Sequence, residues 1–286
     1  MTQYFVNKDF HPSFEDGSIP KLLYICNVDS THTSLPRTLH MHHDILEIIY
    51  ITEGGGGLLI GDRHYKTLKG DILIYNSGVL HDEYGNSDMD MSVYCCGITN
   101  LKLTGLPKNH LVSKGTSYVL RSGENASNIE SLMEMMYSQI SDEKPGAEET
   151  CSYLLRALIM SILQIPQENL ELSKSEESVL SNNIKSYIDE HYQEDITLNL
   201  LSHKLHISPY YLVHAFKEYT GFSPIQYIIR RRIGEAQSLL INTKESVTNI
   251  AGMVGYDNTS YFTTLFSRNV GMSPKKYRQL WTKNER

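Results

Sequence analysis

Between residues 20 and 120 the apolar residues come in short bursts: KLLYICNV, LEIIYIT, GLLIGDRHYK, GDILIYN and MSVYCCGI. Gly, Asn and Asp separate them at intervals of about ten residues, the pattern of an all-β sandwich or barrel. The glycine run 54–57 predicts a tight hairpin connection, because glycine tolerates positive φ. The pattern changes after residue 125. Ile129, Leu132, Met133, Met136, Tyr137 and Ile140 fall on one helical stripe, which DEKPG at 142–146 ends. A second helix over about 147–165 is apolar on more than one side, through Tyr153, Leu154, Leu155, Leu158, Ile159, Ile162 and Leu163. Such a helix needs two neighbours, here the barrel and a second copy of the chain. The polar stretch IPQENLELSKSEES predicts a linker, and everything beyond residue 178 predicts helix.

That last part contains a repeat. Tyr211-Leu212, Phe216, Gly221, Ser223-Pro224 and Tyr227 recur fifty residues later as Tyr261-Phe262, Phe266, Gly271, Ser273-Pro274 and Tyr277. Each copy reads as helix, turn, helix. Thr197 and Ser208 are N-cap types, and Pro209 suits a first helical position, where a missing N–H costs nothing. Tyr211, Leu212 and Phe216 form the expected buried stripe of the second helix. Pro209, Tyr210, Val213, His214 and Lys217 are then left facing out. In the second copy the outward set is Asn258, Thr259, Ser260, Thr263, Thr264 and Arg268. Between the copies runs PIQYIIRRRIGEAQSLLI, long enough as a helix to span about 30 Å. Successive major grooves on one DNA face lie about 34 Å apart.

Charge supports the same direction. The chain of 286 residues carries −7 overall, but residues 178–286 hold 13 Lys/Arg and 9 Asp/Glu, a net +4, against 13 and 24 before them, a net −11. Lys217, Arg230, Arg231, Arg232, Lys275, Lys276 and Arg278 are candidates for neutralising phosphates. Two exposed second helices with polar and aromatic side chains point to major-groove reading of double-stranded DNA. The four cysteines lack C-x-x-C spacing, which argues against a zinc knuckle or a disulfide framework. No basic-then-apolar leader is read at the N-terminus. The apolar stretch LLRALIMSILQI is too short to span a bilayer, so a cytoplasmic protein without membrane contact is expected.

The stretches ISPYYLVHAFKEYTGFSPIQYIIRRRIGEAQSLL and VTNIAGMVGYDNTSYFTTLFSRNVGMSPKKYR resemble the DNA-binding domain of the AraC/XylS family of bacterial transcription regulators. The likeness covers residues 184–281. Ser202 stands where the family usually has alanine, and Thr264 where many members have arginine. The resemblance implies a two-part α+β chain. It comprises a cupin-like effector-binding barrel over 1–124, a helical dimerisation segment over 125–165, a linker over 166–177 and an all-α double helix-turn-helix domain over 178–286. It also implies promoter DNA as the target, a homodimer, RNA polymerase as a further partner, no catalysis, and an N-terminal arm whose Tyr4, Phe5, Phe10 and Phe14 fold over the pocket mouth, with ordinary packing on the barrel exterior as the alternative.

The front resembles a cupin in its motifs: His40-x-His42-x4-Glu47-x6-Gly54, then Gly70-x5-Asn76-x-Gly78-x2-His81, with Asn76 in place of the usual proline. His40 and His42, two apart on a strand, share a face. Glu47 has the wrong parity unless HDIL contains a bend; given the bend, Glu47, Ile49 and Ile51 point into the barrel. Three imidazoles and a carboxylate suit one divalent transition metal. Attached to a DNA-binding domain, the same four residues also suit the pocket of a small organic effector, a carbohydrate on the resemblance, with no metal. That organic reading is preferred here. The metal-responsive regulator is the alternative, and a cupin enzyme with a helical interaction module is a third.

Overall fold

Eight of the predicted bursts and their neighbours fold as strands: β1 (Lys21–Val28), β2 (Arg37–His40), β3 (Leu46–Ile60), β4 (Arg63–Leu68), β5 (Asp71–Tyr75), β6 (His81–Glu83), β7 (Asp90–Thr99) and β8 (Val119–Arg121). A four-residue helix, α1 (Ser30–Thr33), follows β1. The computed structural model describes residues 2–6, 9, 11–15, 17–33, 37–83, 90–167 and 176–282. The sheet runs β1-β7-β3-β5-β8, with β4 and β6 also paired to β3, and β2 paired to β6.

Strand β3 sets the curvature. Its first half pairs with β5 and β7, and its second half with β4 and β6. The glycine run is therefore not the hairpin that the sequence predicted. The strand passes straight through it, and the β3–β4 turn lies at Gly61-Asp62. A Cβ on Gly55 would sit 2.2 Å from Thr67 O, so glycine there permits close approach of two strands. Alternation along β3 separates two cores. Ile49 and Ile51 join Leu58, Leu73, Tyr75, Val93 and Cys95 inside the barrel. Leu46, Ile48 and Tyr50 face outward, onto helices.

Those helices are α2 (Ala126–Ser141) and α3 (Ala147–Leu163). Leu155, Leu158, Ile159 and Ile162 are fully buried against the barrel and α2. The sequence expectation that this surface exceeds what one barrel needs is thus corrected: one chain covers it entirely. Beyond its first turn α3 leaves Tyr153 and Ala157 outward, with Leu154 and Ser161 among its half-buried positions. In the aromatic arm the packing alternative is what is found at Phe14. Phe14 bridges to Leu103 and packs with the outer core, while Tyr4 and Phe5 are exposed; Phe10 lies outside the described residues. Most of the expected linker, 168–175, also lies outside them.

Beyond it come α4 (Glu176–His191), α5 (Leu198–Leu205), α6 (Pro209–Thr220), α7 (Pro224–Asn242), α8 (Val247–Met253), α9 (Thr259–Val270) and α10 (Pro274–Thr282). Side chains of Thr197, Ser208, Ser223, Ser246 and Asn258 cap their helices, and Ser223 with Gln226 completes a capping box. Gly221 and Gly271, with φ of 79° and 80°, end α6 and α9 in the left-handed region. Helices α5–α6 and α8–α9 are the two copies, joined by α7. Each has its own core: Leu201, Leu212, Phe216 and Tyr227 in the first, Ile250, Phe262, Phe266 and Tyr277 in the second. Among the described residues no helix is long and apolar enough to cross a membrane.

Candidate functional site

The bend between His40 and Glu47 is real and larger than the sequence required. β2 ends at His40, and residues 41–45 leave the strand before β3 begins. His42 is therefore on a connection, not two along a strand from His40. β6 brings His81 opposite His40, as a registered pair of β2 and β6. The four candidates converge: one ligand atom from each of His40, His42, Glu47 and His81 lies within 4.8 Å of all the others. Ring centroids are 4.2 Å apart for His40–His81 and 5.2 Å for His40–His42, and Tyr75 stacks on His81 at 3.8 Å.

The outer nitrogens are spoken for. His40 Nδ1 lies 2.9 Å from Thr38 O and His81 Nδ1 3.0 Å from Val79 O. A carbonyl only accepts, so both Nδ1 atoms carry the hydrogen and both Nε2 atoms present lone pairs. The carboxylate is held from its far side. Tyr24 Oη donates to Glu47 Oε1, Cys95 Sγ approaches the same oxygen at 3.8 Å, and Arg37 lies 4.0 Å away. Tyr24 gets there by crossing Gly97, where a Cβ would come within 2.3 Å of its ring. Tyr24, Gly97 and Glu47 lie side by side on β1, β7 and β3. None of this support was read from the sequence, because strand register is invisible there.

Glu47 Oε2 is left aimed at the histidines, 3.1 Å from His42 Nε2 and 3.6 Å from His81 Nε2. Neither approach has hydrogen-bond alignment. His40 Nε2, His42 Nε2, His81 Nε2 and Glu47 Oε2 are all buried without a hydrogen-bond partner. Burial disfavours the charged form of Glu47, but His42, His81 and Arg37 outweigh it and hold the carboxyl well below the usual range. Burial, helped by the proximity of His81 and Arg37, which would repel a proton on it, holds His40 well below the ordinary histidine value. Burial also lowers His81, against the pull of Glu47. The cluster is two neutral imidazoles and an ionised carboxylate around His42. Asn76, in the motif's proline position, donates to Val112 O at 2.8 Å and accepts from Leu111 N at 2.9 Å, pinning the loop beneath the site.

The reading heads are exposed as the repeat suggests. Pro209, Tyr210, His214 and Lys217 are open on α6, with Val213 half-buried and Tyr210 packed on His214 at 4.3 Å. On the second head Ser260, Thr264 and Arg268 are open, with Thr259 and Thr263 half-buried. Asn258 spends its carbonyl on capping α9, and Thr264 Oγ1 donates to Ser260 O. Tyr211, placed in the buried stripe by sequence, is instead exposed, as is Tyr261 at the same position of the second head. The cation set shrinks. Arg231 is buried against Glu235 and the Tyr192 ring. Arg232 donates to three backbone carbonyls, of Tyr192, Glu194 and Gly255. Arg278 ties down Leu240 O and Glu245 O, and Arg230 pairs with Asp82. Lys217, Lys275 and Lys276 remain exposed. Ser202, at the alanine position, donates to Ile207 O and fastens the turn between α5 and α6.

Residues 32–159 match the AraC-like ligand binding domain, and residues 201–280 match a helix-turn-helix domain. A ligand-binding barrel followed by a doubled helix-turn-helix unit defines a DNA-binding transcriptional regulator. The chain is 30% identical over 247 residues to the uncharacterized HTH-type transcriptional regulator YdiP of Escherichia coli, covering 84% of this chain and 80% of that one. It is 29% identical to the HTH-type transcriptional activator RhaR of Mannheimia succiniciproducens, over 90% of this chain and 92% of that protein. Among solved structures, the C-terminal domain of AraT from Geobacillus stearothermophilus is 34% identical, covering 37% of this chain and 88% of its own, with a TM-score of 0.36. The chain belongs to the AraC/XylS family of transcriptional regulators.

Proposed function

We propose that this regulator senses through the barrel cluster, and that the cluster's occupant is a divalent transition ion held by His40, His42, Glu47 and His81. The observation behind this is the set of four buried, unpartnered atoms pointing at one another. Buried polar atoms without partners are costly, and a cation relieves all four at once. Nitrogen and carboxylate ligands of this kind suit zinc, manganese, iron or nickel. Backbone carbonyls already orient two of the imidazoles, as outer partners do in metal sites. A bound ion would supply positive charge and Lewis acidity there. A sugar, the effector class implied by resemblance, fits less well, because Ile51, Leu58, Leu73, Met91 and Val93 fill the interior beside the cluster.

A small polar organic effector is the second reading. A cleft of about 330 Å³ lies between the barrel and α4, lined by Arg63, Lys114, Lys185 and Asp189, and Met41 beside the cluster forms part of its wall. On either reading the protein regulates promoter DNA rather than catalysing a reaction. A homodimer contact then falls on the outward stripe of α3, at Tyr153, Leu154, Ala157 and Ser161.

Elemental analysis of the purified full-length chain tests the metal. About one ion per chain is expected, lost in His40→Ala and in Glu47→Gln. A chain that takes up no zinc, manganese, iron or nickel on titration refutes the ion and leaves the organic reading.

A further inference from the structure

The two strands that deliver His40 and His81 also hold the DNA-binding domain. Helix α7, which joins the reading heads, lies across β2. Its approach is backbone to backbone: a Cβ on Gly234 would be 2.1 Å from Leu39 O. One turn later on the same face, Gln237 Oε1 accepts from both Thr38 N and Thr38 Oγ1, each at 2.9 Å. One turn earlier, Arg230 pairs at 2.5 Å with Asp82, a buried residue directly after His81. The contact is not a loose surface. Leu39, Leu59 and Leu80 of the barrel share one core with Ile184, Ile188, Phe216, Tyr227 and Ile228 of the helical domain.

Thr38 is the junction. Its carbonyl oxygen takes the hydrogen of His40 Nδ1, which fixes that ring with Nε2 toward the cluster. Its N–H and hydroxyl go to Gln237. Both bonds from Gln237 therefore hold the residue that orients a ligand. The path from cluster to α7 is one side chain and one backbone unit long. We infer that Gln237 is a positioning residue for the barrel site, so that the helix spacing the two reading heads is wired into the site's ligand set. This rests on the metal reading of the cluster. It follows by linkage that occupancy of the site and DNA binding change each other's affinity by the same factor.

The test uses the full-length chain with Co²⁺ as the probe, read by its absorption and by calorimetry. A DNA duplex selected from a random pool for binding to this protein serves as the second ligand. Gln237→Met keeps the length of the side chain and removes the acceptor. Co²⁺ affinity should fall by up to about ten-fold, the low end of what losing an outer partner of a metal ligand costs, because the Thr38 carbonyl stays and only its anchor is removed. The Co²⁺-dependent change in duplex affinity seen in wild type should shrink to about one-fold. Thr38→Ser keeps both donors and should behave as wild type. Thr38→Val keeps one and should weaken Co²⁺ less than Gln237→Met; this pair carries the comparison should Gln237→Met not fold. If wild type binds Co²⁺ and folded Gln237→Met binds it equally well, Gln237 is only a packing residue and the inference is wrong. Equal affinity of Thr38→Ser and Thr38→Val has the same meaning. If wild type binds no Co²⁺, the metal reading itself fails, and the wiring to it fails with it.

Discussion

Replacing Gly234 with alanine should undock the two halves of the chain. In an isolated helix the change is favourable, because alanine is better than glycine by about 1 kcal/mol in a helix interior. Here the added methyl would lie 2.1 Å from Leu39 O and 2.7 Å from Thr38 O. Both acceptors are backbone atoms of a buried strand and have no rotamer to change. Relief requires α7 to move away by about 1.4 Å, since nonbonded heavy atoms pack at roughly 3.5 Å. The two 2.9 Å bonds from Thr38 to Gln237 then stretch beyond hydrogen-bonding range. Each is worth about 0.5–1.5 kcal/mol, and overpacking adds about 1–3 kcal/mol. Set against the helix gain, the net loss is about 3 kcal/mol. Thermal unfolding should therefore begin roughly 9 °C lower, at about 2–4 °C per kcal/mol. Hydrogen exchange at Leu39 and His40 should accelerate while amides of the second head stay protected. A Gly234→Ala chain with a higher midpoint and unchanged exchange at Leu39 would refute the backbone-to-backbone docking.

Three further outcomes follow from other parts of the structure. Lys217→Ala and Lys275→Ala should each lower the salt dependence of DNA binding by about one released ion, whereas Arg231→Met, whose charge is buried, should lower stability without changing that slope; a slope change in Arg231→Met contradicts the assignment. His214→Ala should relax base preference in a selection from random duplexes by about 1–3 kcal/mol at one position, and Thr264→Ala by less, because the Thr264 hydroxyl is already bonded to Ser260 O. Ile159→Asp places an unpaired charge in a fully buried position and should unfold the barrel, as circular dichroism would report; a folded monomer would instead return Ile159 to a subunit contact.

Much of this was legible from local pattern. The fifty-residue repeat, its capping serines and its αL glycines are signals carried within a few residues of the helices they shape. The alternation in β3 separated Ile49 and Ile51 from Ile48 and Tyr50, and the same alternation in β7 put Cys95 and Cys96 on opposite faces. The residue types at His40, His42, Glu47 and His81 announced a polar cluster. Periodicity reports that a residue faces something apolar, but not which surface it faces. So the buried stripe of α3 was shared out to a second copy although one chain covers it, and the arginines of α7 were offered to phosphates although Arg230, Arg231 and Arg232 are engaged within the chain. Tyr211 read as core beside Leu212 and Phe216, yet it and its repeat Tyr261 are exposed, because a stripe does not tell how far round the helix the core reaches.

The chain by itself determined the elements, their order and the chemistry available to them, because propensity, capping and alternation act over a few residues. Only the tertiary structure decided which lone pairs stay unpartnered, that Tyr24 crosses Gly97 to hold Glu47, and that Thr38 joins His40 to Gln237. These depend on strand register and on contacts between residues as far apart in sequence as Thr38 and Gln237, and no local pattern encodes a distance across that gap.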